Sequence, residues 1–501
     1  MKSESLTSQA FKGGFWDFGS NIIGRTGALL FTVVIARLLL PEKFGIYTLS
    51  MAVALVFITT FDFGINQTLI RYVSNNLHNH KKSSSYYYYI LKIKIMVSLS
   101  ISLVLLLLSY PLAVYVFSKP ELFIPLIIAS LYVLVFSMEQ FFTSKFYIIS
   151  RVDYSAVKEL IMQFFRIILV FPLFYLLSDS LRVSGVVFVM VLSVSSALLF
   201  SYYYSRKLLF FDSVNSTSLN YSDRKKVLSF MSFLVIGGLS GVFYSYVDTV
   251  MLGIFLDSEF VGLYRASYAL AFGIAGLLAL HRIFLSVFSK SSNESVSRNF
   301  NRILNYLLLI IIPASLGTMA LSSPIIISVF GDDYGLSVMS LNILALVMIP
   351  AVINNLYTSV FSSKEKPKIF VKALLFSAVL NVVLNYLFIT LLMNYSSLWA
   401  VSAAAFATLI STIFYFFMLS LMLRKNLSIK TDYSLFIKPL FAGLIMFFLL
   451  RFLSNSMVVS SYLKLLLLIP LGLVVYSVVI LFLGGINLDD LPLIRKLIRG
   501  I

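Results

Sequence analysis

Two arginines, Arg25 and Arg166, stand near the middle of long apolar runs. An ionisable side chain held at that depth in a bilayer costs at least ~2.5–3.5 kcal/mol, so its retention marks a functional position by default. A guanidinium is a planar fork that grips a diphosphate bidentately, which an ammonium does not. Each also has an acidic neighbour along its own helix: Asp17 for Arg25, and Asp153 or Glu159 for Arg166. Asp62 has Asn66 one turn on, with Gln67 and Arg71 beyond, so these residues form a polar stripe. Such a stripe suits contact with sugar hydroxyls or the wall of a wet cavity. Arg282, beside His281, either extends a basic wall or anchors a helix end by snorkelling. Asp248 is the one carboxylate in its run, Asn381 and Asn385 lie one turn apart on another, and Thr408 follows Ala404 by one turn on a third. If these runs converge, they offer a carboxylate, two amide oxygens, a hydroxyl and the Ala404 carbonyl, a donor set that suits a hard cation. The alternative is hydrogen bonding that holds the helices together. Glu139 and Gln140 read as an interhelical hydrogen-bond site.

The elements that position these groups are membrane helices. Of 501 residues, 59% are hydrophobic, more than the half or so usual for soluble domains. About 20 helical residues cross the hydrocarbon core. Fourteen runs meet that length, the first at 15–39 and 45–70 and the last at 434–454 and 460–484. Unpaired backbone groups are intolerable in lipid, so the runs must be helices. The longest polar connection, Arg206 to Lys226, is about twenty residues and leaves no room for a soluble domain. A cleavable leader is not expected, because the first ten residues are polar and the first apolar run exceeds a leader's apolar core. Gly24 and Gly27 in the first span, and Gly237, Gly238 and Gly241 in the seventh, permit close helix approach or bending.

Alternating loops between two sides puts thirty Lys and Arg with the N-terminus, the even connections and the C-terminus, against seven in the odd connections, Arg265 among them. Arg25 and Arg166 complete the 39. That asymmetry places both termini in the cytoplasm of a multi-pass plasma-membrane protein. The +18 net charge belongs to these loops, so no nucleic-acid partner is expected. At an offset of 217 residues, Gly24 meets Gly241, Leu39 meets Leu256, Glu42 meets Glu259, Gly45 meets Gly262 and Tyr47 meets Tyr264. With equal span counts, these pairs indicate two six-helix halves, 1–210 and 211–430, running in the same sense, followed by two added helices in 431–501. Parallel repeats of this kind rock about a central cavity.

Zero cysteines exclude disulfides and thiolate metal sites, three histidines make no metal cluster, and neither a P-loop nor a sizeable outer loop is present. A transporter, not an enzyme, is expected.

The stretch GRTGALLFTVVIARLLLPEKFGIYTLS, Gly24 to Ser50, resembles the opening of bacterial and archaeal polysaccharide flippases. FDFGINQTLIRYVS (Phe61 to Ser74), VDTVMLGIFLDSEFVGLYRASYAL (Val247 to Leu270), VLNVVLNYLFI (Val379 to Ile389) and WAVSAAAFATLIS (Trp399 to Ser411) are similar to that family's later segments, and the resemblance covers about 10–425. Leu40 departs from it, since many relatives carry Gly there. The resemblance implies the multidrug/oligosaccharidyl-lipid/polysaccharide exporter fold: all-α, about fourteen transmembrane helices, two parallel six-helix repeats around a V-shaped cavity, and two further C-terminal helices. It implies alternating-access transfer of a polyprenyl-(di)phosphate-linked oligosaccharide from the cytoplasmic to the outer leaflet, among membrane lipids and the pathway's glycosyltransferases or polymerase. Arg25, Arg166, Asp62, Asn66 and Arg282 would then hold the headgroup. Lipid II flippases of this family carry a sodium site on the spans that here bear Asp248, Asn381, Asn385, Ala404 and Thr408, with Asn385 where a carboxylate can stand. No cofactor is expected, and coupling to Na+ or H+ is left open. The rival within the superfamily is a multidrug exporter, which favours acidic residues for organic cations.

Overall fold

The computed structural model describes residues 6–61, 64–209, 211, 219–278, 281–290 and 293–485, and every regular element among them is a helix. Twelve helices in this set are long and apolar enough to cross a membrane. The first of them, Gly19–Thr60, joins two of the anticipated spans, and the anticipated seventh lies in α7 (Tyr221–Phe255), apolar over Ser245–Phe255. A short helix that the apolar runs did not reveal, α11 (Ser322–Phe330), sits between spans, and the apolar run expected to form the eighth span, 260–288, also takes in most of another, α9 (His281–Lys290).

Helix α1 (Leu6–Phe61) bends at Leu40, whose φ of 63° and ψ of 168° favour glycine. Pro41 follows, and its ring drives the preceding residue out of the helical region. The departure from glycine therefore falls on the strained residue itself. Such conformations cost about 1–3 kcal/mol, and the Leu40 side chain, 50% exposed, adds little packing in return.

The chain divides into two compact units. The first, residues 1–269 and 374–407, holds α1, α2 (Ile65–Ser74), α3 (His80–Pro111), α4 (Phe123–Ile148), α5 (Val152–Leu176), α6 (Arg182–Leu208) and α7. It also takes in α8 (Ser258–Leu278) as far as Ala269, most of α13 (Pro367–Leu392) and the start of α14 (Ser397–Leu427). Within it α4 packs on α6, α5 on α6 and α1, and α1 on α7. The second unit, residues 270–373 and 408–501, holds α9, α10 (Asn293–Ala320), α11, α12 (Val338–Ser363), the rest of α14, α15 (Ile437–Ser456) and α16 (Ser461–Phe482). There α10 packs on α12 and α15, with Ser315 Oγ donating to Ala345 O at 2.6 Å.

Two close approaches shape the first unit. Beyond the Leu40 bend, α1 meets the start of α8 through glycines. A methyl added to Gly45 would stand 1.7 Å from Ser258 O, and one added to Gly262 would stand 2.0 Å from Pro41 O. Gly45 and Gly262 are 217 residues apart, as are Pro41 and Ser258. Each glycine thus rests on the carbonyl that occupies the matching place in the other repeat, a self-complementary contact of the kind a two-fold relation produces. Nearer its start, α1 receives α5. A methyl on Gly24 would lie 2.9 Å from Glu159 Oε1, and one on Gly27 would lie 2.6 Å from Gln163 Cγ. Small residues let backbones approach in this way. The packing of Gly237, Gly238 and Gly241 lies outside the described side chains.

The connection between α3 and α4 ties down the end of α7. Lys119 Nζ donates to Gly253 O at 2.6 Å and Leu256 O at 2.8 Å, a cation on the carbonyl end of a helix. Burial lowers its pKa from the ordinary lysine value, opposed by Asp257 and Glu121.

Gly45→Ala and Gly262→Ala should each destabilise the protein by at least about 1–3 kcal/mol, because a backbone carbonyl cannot yield as a side chain can. Thermal unfolding of the detergent-purified protein measures this, and a wild-type midpoint in either variant would contradict the crossing.

Candidate functional site

The first unit encloses a cavity of about 190 Å³. Its walls include Tyr47 and Thr48 of α1, Tyr132 of α4, Arg166 of α5, Tyr246 of α7 and Arg265 of α8. No carboxylate lines it among the described residues. The Gly45–Gly262 crossing sets part of this wall: GIYTLSMA (45–52) and GLYRASYA (262–269) are matched segments, and Thr48 faces the cavity where its counterpart is Arg265.

Arg166 is 8% exposed and lies over the Phe31 ring at 5.0 Å. One of its terminal nitrogens donates to Gln163 Oε1 at 3.3 Å, while its buried Nε has no hydrogen-bond partner. Arg265 lies over the Tyr268 ring at 4.5 Å and donates to Thr249 Oγ1 at 3.4 Å. Neither guanidinium is paired with a carboxylate among the described residues. A buried charge without a counter-ion is costly. Arg166 is buried and Arg265 half-buried, and two guanidiniums without a counter-ion on one cavity favour the uptake of an anion.

The acidic neighbours proposed along α5 are engaged elsewhere. Asp153 pairs with Arg151 at 2.7 Å, and Glu159 with Lys158 at 3.1 Å. Arg25 is half-buried on the first limb of α1 and is not among the residues that line the cavity. Asn66 is half-buried on α2. Asp62 and the side chain of Arg282 lie outside the described residues. Arg265, assigned to a connection by loop alternation, is instead inside α8 and on the cavity. The signal that reveals it is its place in a segment matched to an apolar stretch of span two.

The oxygen-rich constellation is partly assembled. Asp248 on α7 accepts from Asn385 Nδ2 on α13 at 2.8 Å and from Tyr264 Oη on α8 at 2.5 Å. Asn385 Nδ2 also donates to Asn381 O at 3.0 Å, so its two acceptors orient the amide. That leaves Asn385 Oδ1 buried and without a partner. Asp248, Asn381 and Asn385 are therefore neighbours, joined by Tyr264, which the polar pattern of the sequence did not include. All-oxygen donors of these types are the kind that suit a hard cation. Ala404 is fully buried on α14 in the first unit, and Thr408 belongs to the second, where its carbonyl accepts from Thr412 Oγ1 at 2.6 Å.

The profile of the family described as polysaccharide biosynthesis protein matches residues 10–281, more than half of the chain. The chain belongs to that family. Over 276 residues it is 25% identical to the probable low-salt glycan biosynthesis flippase Agl15 of Haloferax volcanii, covering 53% of this chain and 57% of that relative, little more than half its length. Among solved structures it is similar to the lipid II flippase MurJ in an inward closed conformation, with a TM-score of 0.74, 14% identity, and 94% and 98% of the two chains covered. It is also similar to a MATE transporter of Vibrio cholerae, with a TM-score of 0.59, 15% identity, and 84% and 98% covered. This member of the family is a multi-pass membrane protein with a MurJ- and MATE-like transporter fold.

Tyr264→Phe removes a buried donor from Asp248 and should lower stability by about 1–3 kcal/mol. Thermal unfolding in detergent checks it, and an unchanged midpoint would show that the phenol does not support the carboxylate.

Proposed function

We propose that this chain is a flippase that carries a polyprenyl-(di)phosphate-linked oligosaccharide from the cytoplasmic to the outer leaflet by alternating access, for cell-surface glycan assembly. The observation that carries this reading is the pair Arg166 and Arg265, two guanidiniums lining one cavity and neither ion-paired with a carboxylate among the described residues. A diphosphate supplies the missing negative charge and accepts bidentate hydrogen bonds from each fork. Tyr47, Tyr132, Tyr246 and Thr48 add hydroxyls to the same wall. Arg25, Asn66, Asp62 and Arg282, which the sequence offers as headgroup contacts, are assigned to the same substrate. The name of the Haloferax volcanii relative and the MurJ-like fold support the same substrate class.

The multidrug alternative fares worse on this observation, because an organic cation entering a cavity that already holds two guanidiniums meets repulsion. The orientation follows from the loop charges. Arg265 lies in a helix and leaves the sparser side with still fewer basic residues, which supports cytoplasmic termini in the plasma membrane. The matched crossing at Gly45 and Gly262 supports two six-helix repeats in 1–210 and 211–430, with the helices of 431–501 appended. Glycosyltransferases or a polymerase of the same pathway supply and consume such a substrate. Coupling to sodium is assigned to Asp248 with Asn385 Oδ1, the buried oxygen left without a hydrogen bond.

In a flipping assay with purified lipid-linked oligosaccharide, Arg166→Ala and Arg265→Ala should each reduce transport by about tenfold or more, the loss expected of a charge-assisted hydrogen bond worth ~1.5–3 kcal/mol. Wild-type rates in both variants would remove the cavity from the mechanism. Asp248→Asn should abolish any acceleration of transport by sodium, and a wild-type protein indifferent to sodium would end that assignment.

A further inference from the structure

The guanidinium of Arg166 is free for an anion only because nearby carboxylates are occupied, and the structure shows what occupies them. Glu159, Gln163 and Arg166 follow one another on a single face of α5 at helical spacing. Left alone, a glutamate two turns before an arginine, with a flexible amide between, is a ready partner for it. Instead Glu159 takes Lys158 Nζ at 3.1 Å, and the same ammonium lies 3.3 Å from Glu139 Oε1 on α4. Lys158 is 4% exposed and Glu139 is fully buried. Glu139 is further held by Thr143 Oγ1 at 2.6 Å and Gln140 Nε2 at 3.0 Å, and Thr143 reaches Ser201 of α6 at 3.1 Å.

Gln163 joins this cluster to the cavity. Its Nε2 donates to Glu159 Oε1 at 2.8 Å and to Gly24 O at 3.3 Å, while its Oε1 accepts from Arg166. An amide can satisfy a carboxylate at one end and a guanidinium at the other without carrying charge to either. The chain of contacts therefore orients Arg166 through a neutral spacer and leaves it without a carboxylate directly on its guanidinium.

We propose that Lys158 is a positioning residue that sets the charge selectivity of the cavity: by holding Glu139 and Glu159, with Gln163 as the neutral spacer, it keeps Arg166 open for an anionic headgroup. The proposal rests on the reading of the cavity as a diphosphate site. Removing the ammonium releases carboxylate charge toward Arg166, which would then be neutralised from within the protein.

The test is the binding of undecaprenyl diphosphate to the full-length protein in nanodiscs of uncharged lipid. Lys158→Met should weaken binding by on the order of tenfold or more, the scale of one uncompensated charge about two helical turns away at an effective dielectric near 20. Lys158→Met combined with Glu159→Gln should recover most of that loss, and Glu159→Gln alone should bind at least as tightly as wild type. If Lys158→Met does not fold, Gln163→Glu replaces it. That variant places a carboxylate directly on Arg166 and should lose binding while the protein still unfolds in a cooperative transition. Recovery in the double variant, or loss of binding in a folded Gln163→Glu protein, supports the proposal. Unchanged binding in Lys158→Met or in Gln163→Glu overturns it, as does a loss that Glu159→Gln fails to relieve, while Arg166→Ala still binds poorly. If wild type binds no undecaprenyl diphosphate, or Arg166→Ala binds as wild type, the diphosphate reading itself falls and takes this proposal with it.

Discussion

The architecture of the first unit depends on two glycines pressed against carbonyls. Gly45 and Gly262 allow the limb of α1 beyond Leu40 and the start of α8 to touch backbone to backbone, where an added methyl would meet an oxygen at 1.7 and 2.0 Å respectively. The two glycines lie 217 residues apart, and the contact places positions matched at that offset on the same cavity. Thr48 and Arg265 arrive there as a matched pair. The repeat thus supplies symmetric geometry, and substitution at a single matched position supplies asymmetric chemistry. The bend that precedes the crossing is strained at Leu40, and the strain is tolerated because Pro41, the crossing and the packing of α7 fix the chain on either side.

Charge is handled in three different ways within this unit. Lys119 is spent on the carbonyl end of α7, a structural use of a cation that holds one connection against one helix. Lys158 is spent on two carboxylates. Arg166 and Arg265 are stacked on Phe31 and Tyr268, which orient a guanidinium without neutralising it. Only the last pair retains a net charge facing open volume. An aromatic face is a fitting support for an anion-binding arginine, because it fixes the fork while leaving its outer donors available.

The sequence was readable wherever a polar group broke an apolar run. Arg166, Asp248, Asn381 and Asn385 were visible for that reason, and the structure places the last three together. The fourteen runs map onto helices because hydrophobic length is a local property. What stayed hidden depended on contacts between distant segments. Arg265 lies seven residues into α8, close enough to its start that counting loop charges absorbed it. Tyr264 looked like one aromatic among many until its hydroxyl was seen on Asp248. Nothing in the chain records that α4 delivers Glu139 to Lys158. The departure at Leu40 was legible as a change of residue, but its conformational cost appeared only with the backbone angles.

The claim at the centre of this account is that Arg166 and Arg265 together hold the phosphates of the carried lipid. The most direct measurement is an electron cryo-microscopy structure of the full-length protein in nanodiscs with undecaprenyl diphosphate. The account predicts phosphate density between the two guanidiniums, with oxygens within ~3 Å of both forks, the range of charge-assisted hydrogen bonds. Phosphate density elsewhere on the protein, with Arg166 and Arg265 both turned onto protein carboxylates, would contradict it.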